Sequence, residues 1–166
     1  MVDQISIDRI ALLHPSLQSE AMEIYSEICK TLKGHAICRI AYTLRTYAEQ
    51  DALYAKGRTV AGKIVTNAKA GYSFHCFGMA IDIVLLKDTN GDGTFDTASW
   101  ETNKDFDGDG QFDWMEIVNI FKLRGWQWGG KFLSFKDMPH FQKTFKHTTE
   151  WCRNAPKIPG TNYPIL

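Results

Sequence analysis

The sequence has no Cys-x-x-Cys pair, no run approaching 18 apolar residues and no linker that would divide it. Each absence excludes a class. Four cysteines (Cys29, Cys38, Cys76 and Cys152) without zinc-finger spacing read as reduced thiols of a protein made in the cytoplasm. Cys76, beside His75, is set aside as a metal ligand because neighbouring residues of an extended chain point to opposite faces. Without a long apolar run, no membrane insertion is expected. The opening residues, MVDQISIDRIALLHPSLQ, have no basic n-region, long apolar stretch or small-residue cleavage site, so no signal peptide is expected. No basic cluster is interleaved with aromatics, which disfavours a nucleic-acid partner.

What is present suits one globular domain. A chain of 166 residues can bury about 70% of its unfolded surface. A hydrophobic content of 44% and an aromatic content of 13% exclude a disordered chain. The formal net charge is zero, but it is unevenly placed. Residues 88–116 hold nine of the 19 acidic residues and one basic residue, Lys104, leaving 18 basic against 10 acidic residues elsewhere. Either cations neutralise the acidic block or the molecule is strongly dipolar. The basic remainder suits an anionic partner.

Helical periodicity runs through residues 6–32, with Leu17, Ala21, Ile24, Ile28 and Leu32 in steps of three and four. Pro15 suits a first helical turn and Gly34 a helix end. A β-branched apolar run predicts a strand over residues 36–42. Residues 46–57 predict a helix, with Thr46 and Glu49 at capping-box spacing. Residues 58–72 read as an ordered surface loop. A strand is expected over residues 79–86, with Ala80, Asp82 and Val84 on one face and Met79, Ile81, Ile83 and Leu85 on the other. After an acidic, Gly-rich insertion, Trp114, Ile117, Val118 and Phe121 mark a helix that Gly125 stops. Residues 126–128 and 140–142 read as two short strands. The tail from Pro156 reads as irregular.

One stretch carries metal chemistry. A catalytic zinc takes three protein ligands and keeps one open position, and two imidazoles with a carboxylate suit it. His75 and Asp82 lie seven residues apart, so the chain must turn for both to reach one ion. Gly78 permits that turn, and Ala80 leaves room beside Asp82. His140, within Asp137-Met-Pro-His-Phe, is the obvious third ligand. Taken singly, a histidine in an apolar segment is more often a hydrogen-bonded core residue, and Asp137 is more often a turn residue.

The string SxHxxGxAxD at residues 73–82, followed about 55 residues later by DxPHF, resembles the LAS group of zinc metallopeptidases that cut peptidoglycan. The group includes D-alanyl-D-alanine carboxypeptidases and the L-alanyl-D-glutamate endopeptidases used as phage endolysins. Residues 44–59 (LRTYAEQDALYAKGRT) are similar to its arginine segment; residues 63–68 and 126–130 look like its endopeptidase branch. The likeness covers about residues 37–145, outside the acidic insertion. It implies an α+β fold of the hedgehog and DD-peptidase type, a small antiparallel sheet flanked by helices. It implies zinc on His75, Asp82 and His140, Asp137 as general base, Arg45 as partner of the carbonyl oxygen or substrate carboxylate, and Ser73 and Gln50 at the substrate site. Those roles agree with the chemistry: a carboxylate near the water takes its proton, and a guanidinium offers a fixed fork of donors. On its own, Arg45 would be read as a surface ion pair.

The acidic insertion holds two similar segments offset by 17 residues, at Lys87 and Lys104. The second matches an EF-hand calcium loop: Asp105, Asp107, Asp109, Gly110, Gln111 (through its carbonyl), Asp113 and Glu116 occupy positions 1, 3, 5, 6, 7, 9 and 12. The first offers Asp88, Asn90, Asp92, Gly93, Thr94 and Asp96, but Ser99 stands at position 12 and a strand precedes it, as in a dockerin-like loop. Solvated acidic loops are the alternative for both. The insertion departs from the short members of the resembled group.

The reading that results is a single-domain, monomeric, zinc-dependent hydrolase of peptidoglycan stem peptides with added calcium. L-alanyl-D-glutamate endopeptidase comes first, and a D-alanyl-D-alanine carboxypeptidase or dipeptidase second. A non-catalytic, calcium-dependent wall-binding module is the alternative of another class. The expected setting is an endolysin's: synthesis in the cytoplasm and action on the wall after release.

Overall fold

The structure is a computed structural model and describes residues 2–33 and 35–166. The helix end expected at Gly34 therefore lies outside the described residues. The periodic segment at the N-terminus resolves into two helices, α1 (Gln4–Ile10) and α2 (Pro15–Thr31). Proline lacks an N–H and pushes the residue before it out of the helical region, so the break falls there. His14 sits at φ −49° and ψ 133°, and its Nδ1 accepts the Ser16 N–H at 3.2 Å as a cap. The remaining elements are β1 (Ala36–Tyr42), α3 (Tyr47–Ala55), β2 (Ala80–Lys87), β3 (Thr97–Ser99), α4 (Asp113–Leu123), β4 (Gln127–Trp128), β5 (His140–Gln142) and α5 (Thr149–Asn154). The Thr46–Glu49 capping box of α3 forms with both of its bonds. β3 and α5 are additions to the expected elements.

The sheet is antiparallel, in the order β1-β2-β5-β4, with β3 also on β2. This is the α+β arrangement of a small antiparallel sheet with helices. β2 is its organising strand. One edge carries β1 along most of its length. The other is shared, with β5 against Ala80, Ile81 and Asp82, and β3 against Leu85, Leu86 and Lys87. The insertion therefore supplies the partner that β5 is too short to provide.

The alternation of β2 sorts its side chains as expected. Ile81, Ile83 and Leu85 join Cys38 and Ile40 of β1, Leu17, Ile24 and Ile28 of α2, and Trp114, Ile117 and Phe121 of α4 in one buried cluster. Each such side chain contributes about 1.5–3 kcal/mol on burial. All four cysteines are free thiols, and burial raises the pKa of Cys38 and Cys76. No helix among the described residues is long and apolar enough to cross a membrane.

Asp3 fastens the N-terminus to the sheet. Its Oδ2 accepts from the Ser6 N–H and hydroxyl, capping α1, and both its oxygens accept from Arg39 of β1 at 2.9 Å. Burial alone would raise the Asp3 pKa, but Arg39 and Ser6 together hold it below the ordinary value. A depressed folded-state pKa adds stability that is present above the ordinary carboxylate range and lost as pH falls through the folded value. Asp3→Ala is expected to cost about 2 kcal/mol at neutral pH. The gap between thermal melts of parent and variant should begin to narrow below about pH 4 and go on narrowing as pH falls further; a gap that stays constant or widens down to about pH 2 would refute the linkage.

Candidate metal centre

The centre is assembled from a turn, the central strand and its neighbour. His75 lies in a short 3-10 turn, Phe74–Phe77, capped at its start by the Ser73 hydroxyl, which accepts the His75 N–H at 3.3 Å. Gly78 closes the turn in the left-handed region at φ 65°. A β-carbon there would meet the His14 backbone nitrogen at 2.7 Å, so both conformation and space call for glycine. The chain then enters β2 and presents Asp82. In the antiparallel register, Asp82 pairs directly with His140 of β5. The turn that the sequence demands between His75 and Asp82 is thus present.

The three side chains meet. His75 Nε2 lies 3.1 Å from Asp82 Oδ1 and 3.2 Å from His140 Nδ1, and His140 Nδ1 lies 3.2 Å from Asp82 Oδ1. Their outer hydrogen bonds fix which nitrogens carry protons. His75 Nδ1–H donates to the Thr43 carbonyl at 2.6 Å, and a carbonyl only accepts. His140 Nε2–H donates to Gln142 Oε1 at 3.0 Å, the amide being oriented by its own N–H donation to Gln127 at 2.8 Å. In the neutral imidazoles, therefore, both inward nitrogens are bare. Two lone pairs and a carboxylate oxygen face one another inside a triangle, with no donor among them.

A cation resolves that crowding, and the donor set suits zinc's coordination. Ligand bonds of about 2.0–2.2 Å in a tetrahedron place donor atoms roughly 3.3–3.6 Å apart, close to the observed edges. The outer partners of both histidines are the carbonyl contacts that orient imidazoles on metals. Burial raises the pKa of Asp82, yet the adjoining imidazoles hold it well below the usual carboxylate range. Burial opposes charge on His140 too, and Asp82 nevertheless raises its pKa. The electrostatics of the triangle favour positive charge.

The other expected site residues divide. Arg45 is nearly buried and lies beside Asp82, its Nη2 at 3.4 Å from Oδ2. Its backbone N–H donates to the His75 carbonyl at 3.0 Å, its Nε has no partner, and it lies over the Tyr42 ring at 4.8 Å. Asp137 lines the same cleft, and its pKa is raised by burial first and then by the Asp82 charge. Ser73 also lines the cleft. Gln50 does not. It is fully buried, accepts from Arg45 Nη1 at 2.9 Å and donates to the Ala68 carbonyl at 2.7 Å, so it holds the arginine rather than touching substrate. The expected substrate contact at Gln50 is corrected accordingly.

Sequence reasoning missed other parts of the site. Thr43 and Gln142, which set the imidazole tautomers, carry no motif of their own. Gln142 follows His140 by two on a strand and so shares its face, which is the signal that could have found it. Trp100, an exposed aromatic from the insertion, joins the lining of a cleft of about 1170 Å³.

Comparison with known proteins agrees with this geometry. The sequence profile of a family described as D-alanyl-D-alanine carboxypeptidase matches residues 66–143, which include His75, Asp82, Asp137 and His140. The peptidoglycan L-alanyl-D-glutamate endopeptidase CwlK of Bacillus subtilis (strain 168) is 38% identical over 130 residues, covering 78% of this chain and 72% of the relative. The crystal structure of the Serratia marcescens L-Ala D-Glu endopeptidase ChiX superposes with a TM-score of 0.53 at 21% identity, over 86% of this chain and 88% of that one; it shows the fold. The chain is a peptidase and belongs to the metallopeptidase family that unites the D-alanyl-D-alanine carboxypeptidases with the L-alanyl-D-glutamate endopeptidases.

Proposed function

We propose that this protein hydrolyses the L-alanyl-D-glutamate bond of peptidoglycan stem peptides, with zinc held by His75, Asp82 and His140. The observation that carries the reading is the triangle of inward lone pairs, 3.1–3.2 Å on each side, beside a buried arginine and a carboxyl of raised pKa. The choice of bond is supported by the relative CwlK, whose name states that activity. The cleft, at about 1170 Å³, has room for an extended peptide.

When bound, zinc supplies a Lewis acid that polarises the scissile carbonyl and brings the pKa of water to about 7. The chain's own groups do the rest. Asp137 accepts a proton from the attacking water and returns it to the departing amine. Its raised pKa suits the first half of that exchange, because a carboxylate of higher pKa takes a proton from water more readily. Arg45 places a permanent positive charge beside Asp82, where negative charge grows on the substrate carbonyl oxygen or a substrate carboxylate docks. Gln50 locks one arm of that guanidinium, so its contribution is positional. Ser73 fixes the start of the His75 turn and presents its polar edge to the cleft.

Digestion of purified cell wall should release new glutamate α-amines, read by mass spectrometry; free D-alanine instead would establish the carboxypeptidase. Asp137→Ala should lower kcat by about 10²–10⁴-fold at unchanged zinc content, and full lytic activity in that variant would remove the base assignment. Gln50→Leu should lower kcat with zinc retained, and arginine repositioning predicts partial recovery in Gln50→Glu. No loss in Gln50→Leu would show that Arg45 needs no such support.

A further inference from the structure

The peptidase site leaves the two acidic loops of the insertion without a role, and the loops differ in the structure. In the second, Asp105, Asp107 and Asp113 bring carboxylate oxygens within 4.8 Å of one another, and so do Asp107, Asp109 and Glu116, with Asp107 common to both sets. In the first, Asp88, Asp92 and Asp96 form no such group. Asp88 accepts from the N–H groups of Asn90, Gly91 and Gly93 much as Asp105 accepts from Gly108 and Gly110, so the loops differ at the last position, where Ser99 stands in place of a glutamate and is engaged with Glu101.

Clustered acids are common on surfaces, and proximity alone decides nothing. The second observation is burial without a partner. Asp113 is fully buried and Glu116 is 8% exposed, yet Asp113 Oδ2 and Glu116 Oε2 have no hydrogen-bond donor. A buried carboxylate oxygen left unpaired costs free energy. Asp113 clusters with Asp105 and Asp107, and Glu116 with Asp107 and Asp109, so the unpaired oxygens belong to the residues of the acidic group, where no protein donor is supplied.

We infer that the second loop is a single calcium site, formed by Asp105, Asp107, Asp109, Asp113 and Glu116 with the Gln111 carbonyl, and that the first loop is not one. An all-oxygen set of this number suits calcium, whereas magnesium prefers a smaller octahedral shell and keeps its waters. Gly110, at φ 91°, makes the turn that brings both ends of the loop together. Glu116 and Asp113 belong to the first turn of α4, so the ion joins the loop to that helix. The loop is tied elsewhere as well: Asp107 Oδ2 accepts the Lys33 N–H beyond α2 at 2.8 Å, and Phe106 packs on the core with Lys87 over its ring at 4.7 Å. Calcium is therefore a staple between the insertion and the helix layer. The inference stands apart from the peptidase reading and is tested without activity.

Zinc-loaded protein is freed of calcium by dialysis and titrated with calcium chloride by calorimetry, with melting temperature and terbium luminescence sensitised by Trp114 as further readouts. One calcium per chain and a melting temperature raised by several degrees are expected. Glu116→Gln should weaken binding at least 100-fold, and so should Asp105→Asn, an exposed position where folding is retained. Asp88→Asn should bind as the parent does. No binding at millimolar calcium, unchanged binding in both loop variants, an equal response to magnesium, or loss of binding in Asp88→Asn would each overturn the assignment.

Discussion

Three electron-pair donors held within 3.2 Å of one another, with every available proton turned outward, are the constraint around which this fold is arranged. Each donor comes from a different piece of structure, and each piece has its own lock. The Thr43 carbonyl, just past β1, fixes one imidazole. Gln142, two residues along β5, fixes the other. The strand register sets Asp82 opposite His140. Moving β5 by one residue would turn His140 to the other face of the sheet and leave Phe141 in its place. Phe141 is fully buried and stacked on Phe121 at 4.2 Å, so the apolar core enforces the register that the polar site needs.

The same strand connects the two charged regions of the molecule. Asp82 lies near one end of β2; at the other end, Lys87 leads into the insertion. β3 returns from the insertion to pair with Leu85, Leu86 and Lys87, and carries the chain on to Trp100 at the cleft. An acidic insertion in an otherwise basic chain is thus not a free appendage. It completes one edge of the central strand, contributes to the cleft wall and starts α4, whose Trp114, Ile117 and Phe121 fill the core. Electrostatic repulsion within the insertion would act on the sheet edge through these contacts, which is why its neutralisation bears on the stability of the whole domain.

Much of this was legible in the residues. The alternation through Met79–Leu85 separates core from cleft because a strand has a two-residue period, and glycine at position 78 marks the turn before it. The spacing that identifies His75, Asp82 and His140 holds up as geometry. The helix capped at Thr46 was readable from its side-chain chemistry alone. What escaped was short or depended on tertiary contacts. β3 has three residues in a polar setting and exists because β2 offers it an edge. α5 has six residues; its cap, the Thr148 hydroxyl accepting the Trp151 N–H, was visible in principle, but no apolar period long enough to register accompanies it. The N-terminal periodicity spans α1 and α2 because both bury a face on the same sheet, so the pattern continues through a break that only Pro15 discloses. Gln50 looked like a site residue because it sits in the arginine segment, and burial behind Arg45 could not be read from that position.

The two carboxylate-bearing centres obey one rule with opposite solutions. At the peptidase site, oriented imidazoles accompany a single ligand carboxylate, and Arg45 supplies compensating positive charge alongside it. Only two histidines face inward, so the set is compact, mixed in nitrogen and oxygen, and suited to a small ion with an open position. In the second loop, two groups of three carboxylates share Asp107, and one buried oxygen each of Asp113 and Glu116 has no donor. Backbone N–H groups satisfy some of these oxygens but not those two, and no side chain in the set can donate when ionised. A large, oxygen-seeking cation tolerant of many ligands, as inferred above, would meet that demand, which separates the two sites by chemistry rather than by distance.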